Sequence, residues 1–136
     1  MIKKVIVLAI LFSLIFTCKV QATEVEFAEF VYLTQCVQAE AGNQDFEGKR
    51  LVAAVILNRV DDPRFPNSIT EVINAPKQFA VVRNKTINNV VIEQETIDAC
   101  MIELTDRCNT EVLYFNNSSK VGGKFCCKHG KHWFGK

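Results

Sequence analysis

Gly48-Lys49-Arg50-Leu51-Val52-Ala53-Ala54-Val55-Ile56-Leu57-Asn58-Arg59-Val60 is the stretch that decides the fold. Leu51, Val52, Val55, Ile56 and Val60 fall on one stripe at helical spacing, and Ala53, Ala54 and Leu57 widen that stripe. A helix apolar almost all round belongs in the buried centre of a domain. Asp61-Asp62-Pro63 ends it, because a residue before proline is pushed out of the helical region. Everything else is expected to pack around this helix.

Upstream, Glu24 to Ala41 reads as a helix with Phe27, Phe30, Val31 and Val37 on its apolar side, stopped by Gly42-Asn43. Downstream, Ser68-Ile69-Thr70-Glu71 is a capping box that opens a short third helix through Asn74, and Pro76 closes it. Residues 80 to 92 carry short β-branched runs around Asn84 and Asn88-Asn89 and show no single period. Glu93 to Arg107 reads as a fourth helix with Ile97, Cys100, Met101 and Leu104 on one face. Val112 to Phe115 fits a short strand. The tail from Phe125 to Phe134 alternates poorly and carries both histidines. The expected class is α+β, mainly helical.

The N-terminus has the three parts of a secretory leader: Lys3 and Lys4, an apolar run from Val5 to Phe16, and Val20-Gln21-Ala22 as a cleavage site. Residues 1–22 are expected to be removed and 23–136 to form one domain. The apolar run is short for a membrane span, and no second run follows it, so stable membrane association after cleavage is not expected. Cleavage leaves 13 basic against 15 acidic residues, a balance that argues against a nucleic-acid partner. Five cysteines remain, Cys36, Cys100, Cys108, Cys126 and Cys127, so one thiol at least stays unpaired.

Glu40 is the residue with the strongest chemical signal. It lies at the end of the first helix, where the helix dipole disfavours a carboxylate and so favours its protonated form. A general acid must hold its proton near neutral pH, and a site hostile to the anion suits it. Ala39, Ala41 and Gly42 leave room for a bulky substrate.

Ala39-Glu40-Ala41-Gly42-Asn43-Gln44, Phe46, Gly48 and Val52-Ala53-Ala54-Val55-Ile56-Leu57-Asn58-Arg59-Val60 resemble the cell-wall hydrolase family of the germination-specific spore cortex-lytic enzymes. The similarity continues through Phe65-Pro66-Asn67-Ser68-Ile69, Val72-Ile73, Gln78-Phe79 and Leu113-Tyr114-Phe115-Asn116. It ends on Gly130-Lys131-His132-Trp133-Phe134, which fits the family's G-x-H-x-F close. The resemblance implies a lysozyme-like domain related to resuscitation-promoting factors and lytic transglycosylases. It implies that Glu40 is the catalytic acid and that peptidoglycan glycan strands are the partner. Where this chain has Gly42-Asn43-Gln44, family members often have Arg-Gly-Glu, so a second nearby carboxylate is missing here.

That absence bears on the reaction. A hydrolytic glycosidase ordinarily uses two carboxylates, and Asp45, Glu47, Asp61, Asp62 and Glu71 are candidates that no local context singles out. A lytic transglycosylase needs one, and it closes a 1,6-anhydro ring on muramic acid. Transglycosylation by an exported, monomeric enzyme without cofactor is therefore the expectation. A hydrolytic muramidase and a non-catalytic wall-binding module are the alternatives. Glycan recognition wants aromatic faces beside amides and hydroxyls, which nominates Gln78, Phe79, Tyr114 and Asn116 for the sugar groove. The family match adds His132 as a groove or structural residue. Asn58, on the buried helix, is expected to bond backbone. The run from Cys126 to His132 holds two Cys and two His but not the two spaced pairs of a zinc site, so no metal is expected.

Overall fold

A computed structural model describes residues 25–136, so the leader and the expected helix start at Glu24 lie outside the described residues. The helices are α1 (Phe27–Ala41), α2 (Phe46–Asp61), α3 (Ile69–Asn74), α4 (Ala80–Arg83) and α5 (Gln94–Thr105), with a 3₁₀ turn at Thr86–Asn89. Three strands follow: β1 (Tyr114–Asn116), β2 (Phe125–His129) and β3 (His132–Gly135). The architecture is α+β and mainly helical.

The central helix is where its apolar surround requires. Val52, Ala53, Ala54, Val55 and Ile56 are each 0% exposed, and α2 packs against α1, α3, α5 and β1. It begins at Phe46 because the Asp45 side chain accepts from the Gly48 N–H at 2.9 Å, satisfying one of the orphan donors of the first turn. Ser68 does the same for Glu71 at 3.2 Å at the start of α3. Gly42 ends α1, and its N–H bonds the Gln38 carbonyl at 2.9 Å. A Cβ on Gly42 would lie 2.5 Å from both the carbonyl oxygen and the amide nitrogen of Gln38, so the chain can leave the helix this tightly only through glycine.

Three charged side chains are interior. Lys49 is 1% exposed and reaches Glu93 at 3.2 Å and Glu95 at 2.5 Å, tying the start of α2 to the start of α5. Burial opposes its charge, and the two carboxylates more than offset that, so its ammonium is held above the usual lysine range. Glu103 is fully buried and accepts from Arg50. Arg59 is 5% exposed.

Two segments depart from the sequence pattern. Residues 80–92 fold as the single helical turn α4 and the 3₁₀ turn, separated by Lys85 at φ 62°. Only Val81 and Ile87 of this stretch are buried, too few for any period to show. The poorly alternating tail is a β-hairpin. The sheet order is β1-β3-β2, antiparallel throughout, with Phe115 opposite Phe134 and Lys128 opposite Trp133. A register shift between Phe125 and Cys127 inserts Cys126 as an extra residue, which spoils the two-residue alternation. Gly130, at φ +53°, makes the turn.

Candidate functional site

Glu40 is the last residue but one of α1 and is half-buried. It makes no ion pair among the described residues. Burial raises its carboxyl above the usual glutamate range, and a main-chain hydrogen bond from Val81 in α4 pulls the other way. One turn earlier on the same helix, the buried Cys36 thiol is pushed well above its usual range, by burial first and then by the Glu40 charge.

The neighbours of Glu40 are all engaged elsewhere. The Gln38 amide oxygen accepts from the Glu93 N–H at 3.1 Å and from the Thr96 hydroxyl, and so caps α5. The Gln44 amide oxygen accepts from the Lys131 N–H at 3.1 Å, and Asp45 meets His129 Nε2 at 2.6 Å. These two contacts dock the β2–β3 hairpin on the start of α2. Gln44 thus has a structural partner.

The residues nominated for the groove divide into two sets. Gln78 and Phe79 lead directly into α4, whose Val81 meets Glu40. Arg59 joins them to β1: its Nη1 donates to Gln78 Oε1 at 3.0 Å and its Nε to the Leu113 carbonyl at 2.8 Å. Its guanidinium carbon lies 5.2 to 5.7 Å from the ring centroids of Phe65, Phe79 and Tyr114. Gln78, Phe79 and Tyr114 are therefore gathered around one buried cation. Phe79 itself is 3% exposed and part of the core.

Asn116 and His132 stand apart from that group. The Asn116 side chain donates to the Lys120 carbonyl at 2.8 Å and accepts from the Ser118 N–H at 2.9 Å, closing its own loop. His132 is 4% exposed, its Nδ1 has no partner, and burial lowers its pKa, so the neutral ring is favoured. It packs edge-on against Phe115 at 5.1 Å, and Phe115 in turn lies 6.1 Å from Phe79. Asn58 Nδ2 donates to the carbonyls of Asn109 and Val112 at 2.7 and 2.8 Å, holding the loop before β1.

Arg59 is the residue that sequence reasoning passed over. It lies between Ile56 and Val60 of the apolar helix, and its place in that buried helix was the available signal: an arginine there must find partners inside.

Of the five candidate second carboxylates, Asp61 pairs with Arg107 at 3.0 Å, Asp62 with Arg64 at 2.7 Å and Glu47 with Arg50 at 3.6 Å. Asp45 holds Gly48 and His129, and Glu71 is exposed in the first turn of α3. A cavity of about 760 Å³ lined by Val25, Glu29, Leu57, Val60 and Leu104 lies at the far end of α1, about 16 Å from Glu40 along the helix axis. No group of three or more His, Cys, Asp or Glu among the described residues is placed to hold a metal ion.

The family described as Cell Wall Hydrolase matches residues 43–135, beginning three residues after Glu40. The chain belongs to the cell wall hydrolase family. It is 36% identical over 110 residues to the spore cortex-lytic enzyme of Bacillus subtilis, aligned over 75% of this chain and 35% of that protein. It is 31% identical over 112 residues to the spore cortex-lytic enzyme of Oceanobacillus iheyensis, over 76% of this chain and 40% of that protein. The chain thus spans about two fifths or less of these curated relatives. Among solved structures, the catalytic domain of the germination-specific lytic transglycosylase SleB from Bacillus anthracis superposes with a TM-score of 0.72 at 26% identity. That match covers 83% of this chain and 98% of that one. The catalytic domain of SleB from Bacillus cereus gives 0.69 at 28% identity, over 79% and 89%. The fold is the lysozyme-like fold of these cell wall hydrolase catalytic domains.

Proposed function

We propose that this domain is exported and cleaves peptidoglycan glycan strands between N-acetylmuramic acid and N-acetylglucosamine as a lytic transglycosylase, with Glu40 as the catalytic residue. The observation that carries the reading is Glu40: a half-buried carboxyl without an ion-pair partner among the described residues, raised above its usual range by burial. Family membership and the likeness to SleB supply the substrate class. In the first step protonated Glu40 gives its proton to the glycosidic oxygen as that bond breaks. In the second, the Glu40 carboxylate takes the proton of the muramic acid 6-hydroxyl as its oxygen closes on C1, giving a 1,6-anhydro end and restoring the acid. Hydrolysis ordinarily uses a second carboxylate to activate water, and four of the five candidates already hold other groups.

Glu40→Gln tests this. It keeps the shape and removes the transferable proton, and the rate should fall at least about a hundredfold. Because burial disfavours the Glu40 anion, the folded state at neutral pH carries a cost that Gln removes, so the variant should be at least as stable as the parent. Mass analysis of digested peptidoglycan should find anhydromuramic ends, each lighter by one water than a reducing end. Near-normal activity in a folded Glu40→Gln protein would overturn the assignment of Glu40, and reducing ends from the parent would replace transglycosylation by hydrolysis.

A further inference from the structure

The three-stranded sheet has a second face, turned away from the core. His132 and Phe134 of β3 point into the core at 4% and 0% exposure, so Trp133 between them points outward. Residues paired across antiparallel strands share a face. The register places Lys128 opposite Trp133 and Phe125 opposite Gly135, which puts Phe125, Lys128 and Trp133 together on the outside, with Tyr114 and Asn116 of β1 on the same face beyond β3. Phe125 is 52% exposed, and its ring lies 5.7 Å from that of Trp133. The Lys128 ammonium sits 5.1 Å from the Trp133 ring centroid. This is an apolar aromatic pair left in solvent, with a cation held against it.

Charge is distributed to match. All 15 acidic residues of the chain precede Val112, and the segment from Val112 onward carries Lys120, Lys124, Lys128, Lys131 and Lys136. Only Lys136 of these is paired, with Glu111 at 2.6 Å. The other four make no ion pair among the described residues. The hairpin is thus a basic, aromatic lobe on an otherwise acidic domain, and such a field attracts an anionic partner to that side.

We infer that the outer face formed by Phe125, Lys128 and Trp133 is a second, non-catalytic docking site for peptidoglycan. The inference rests on the glycan-cleaving reading above and adds to it a place where the polymer is held. Sugar rings present the flat C–H faces that stack on exposed aromatic rings, and the stem peptides carry the carboxylates that Lys128 and its neighbours would meet. A site of this kind keeps the enzyme on an insoluble polymer while each bond in the groove is cut and released, so its contribution appears on intact wall and not on short fragments.

The test uses the full chain in a Glu40→Gln background, so that the wall is not digested during binding. Co-sedimentation with purified sacculi stripped of other wall polymers is compared for the parent face and for Phe125→Ala/Lys128→Glu, with circular dichroism confirming that both are folded. We expect the altered face to bind about tenfold or more weakly, the effect of losing one aromatic anchor and inverting one charge. In the Glu40 protein the same pair of substitutions should slow release from sacculi and leave the cleavage of short soluble glycan fragments unchanged. Unchanged sedimentation would overturn the inference. So would an equal loss on soluble fragments, which would make the face part of the groove. Equal retention by anionic vesicles or DNA would also overturn it, by showing a general polyanion surface. If the parent protein cuts no glycan yet its sedimentation depends on this face, docking stands and the proposed reaction falls.

Discussion

Glu103 offers the sharpest test of how the domain is held together. It is fully buried in α5, and its carboxylate accepts from Arg50 Nη2 at 3.0 Å, Arg50 Nε at 3.3 Å, the Asn109 N–H at 3.2 Å and the Asn109 amide at 3.3 Å. Glu103→Leu keeps the volume and leaves these donors facing hydrocarbon. Removing one partner of a buried pair costs about 3–5 kcal/mol. Arg50 remains 15% exposed and keeps Glu47 within 3.6 Å, so water and a second carboxylate recover part of the loss and place the expected value near the low end, about 3 kcal/mol. For a domain of this size that is a fall in Tm of about 10–15 °C. Glu103→Gln retains an acceptor and should lose about 1–2 kcal/mol. In the double variant Arg50→Met/Glu103→Leu no charge is stranded, so urea unfolding should show it more stable than Glu103→Leu alone. The loss should also reach the candidate site. Asn109 holds Asn58 through its carbonyl, and the same loop delivers the Leu113 carbonyl that binds Arg59. A Glu103→Leu protein within about 0.5 kcal/mol of the parent, or a double variant no better than the single, would refute this account.

Two further outcomes follow from the titrating groups. The Gly48 N–H first, and His129 next, hold the Asp45 carboxyl below its usual range, so its charge favours folding above the ordinary carboxylate pKa and that benefit is lost as pH falls through the depressed value. Asp45→Asn keeps a capping side chain without the charge; the gap in urea midpoint between the two proteins should close as pH falls below about 5, and a gap that widens in acid would reverse the sign of the argument. Burial pushes the Cys100 thiol up to about 12 and Cys36 well above its usual range, so iodoacetamide at pH 8 should label the exposed Cys108 and Cys126 in the folded protein, label the partly buried Cys127, whose thiol burial also raises, more slowly, and reach Cys36 and Cys100 only after unfolding. Label on either buried thiol under native conditions would show that α1 and α5 separate.

What could be read from the sequence, and what could not, follows from how each feature is stabilised. The α2 helix was legible because its apolar stripe runs from Leu51 to Val60 up to an aspartate-proline stop, and burial alone dictates its place; its start at Phe46, set by the Asp45 cap, was not. The hairpin was not, because Cys126 is an extra residue that breaks the alternation on which strand recognition depends. The α4 and 3₁₀ turns have four residues each, less than two helical turns, and take their shape from what they pack on. Lys49 and Glu103 were invisible for another reason: charged residues are ordinarily outside, and their partners lie 44 to 53 residues away. The candidate site divides the same way. Glu40 stood out through its setting at a helix end taken together with the family resemblance of the residues around it, whereas the joining role of Arg59 exists only once α2, the Gln78 segment and β1 have met. The same contacts give the surroundings of Glu40 a common logic. Gln38 caps α5, Gln44 and Asp45 fasten the hairpin, and Gly42 lets the chain turn between them. The flanking polar side chains bind two different elements, α5 and the hairpin, so the end of α1 is fixed from two sides while the Glu40 carboxyl makes no ion pair among the described residues. A carboxyl partly out of water and without a neutralising cation among the described residues is in the state that proton donation requires.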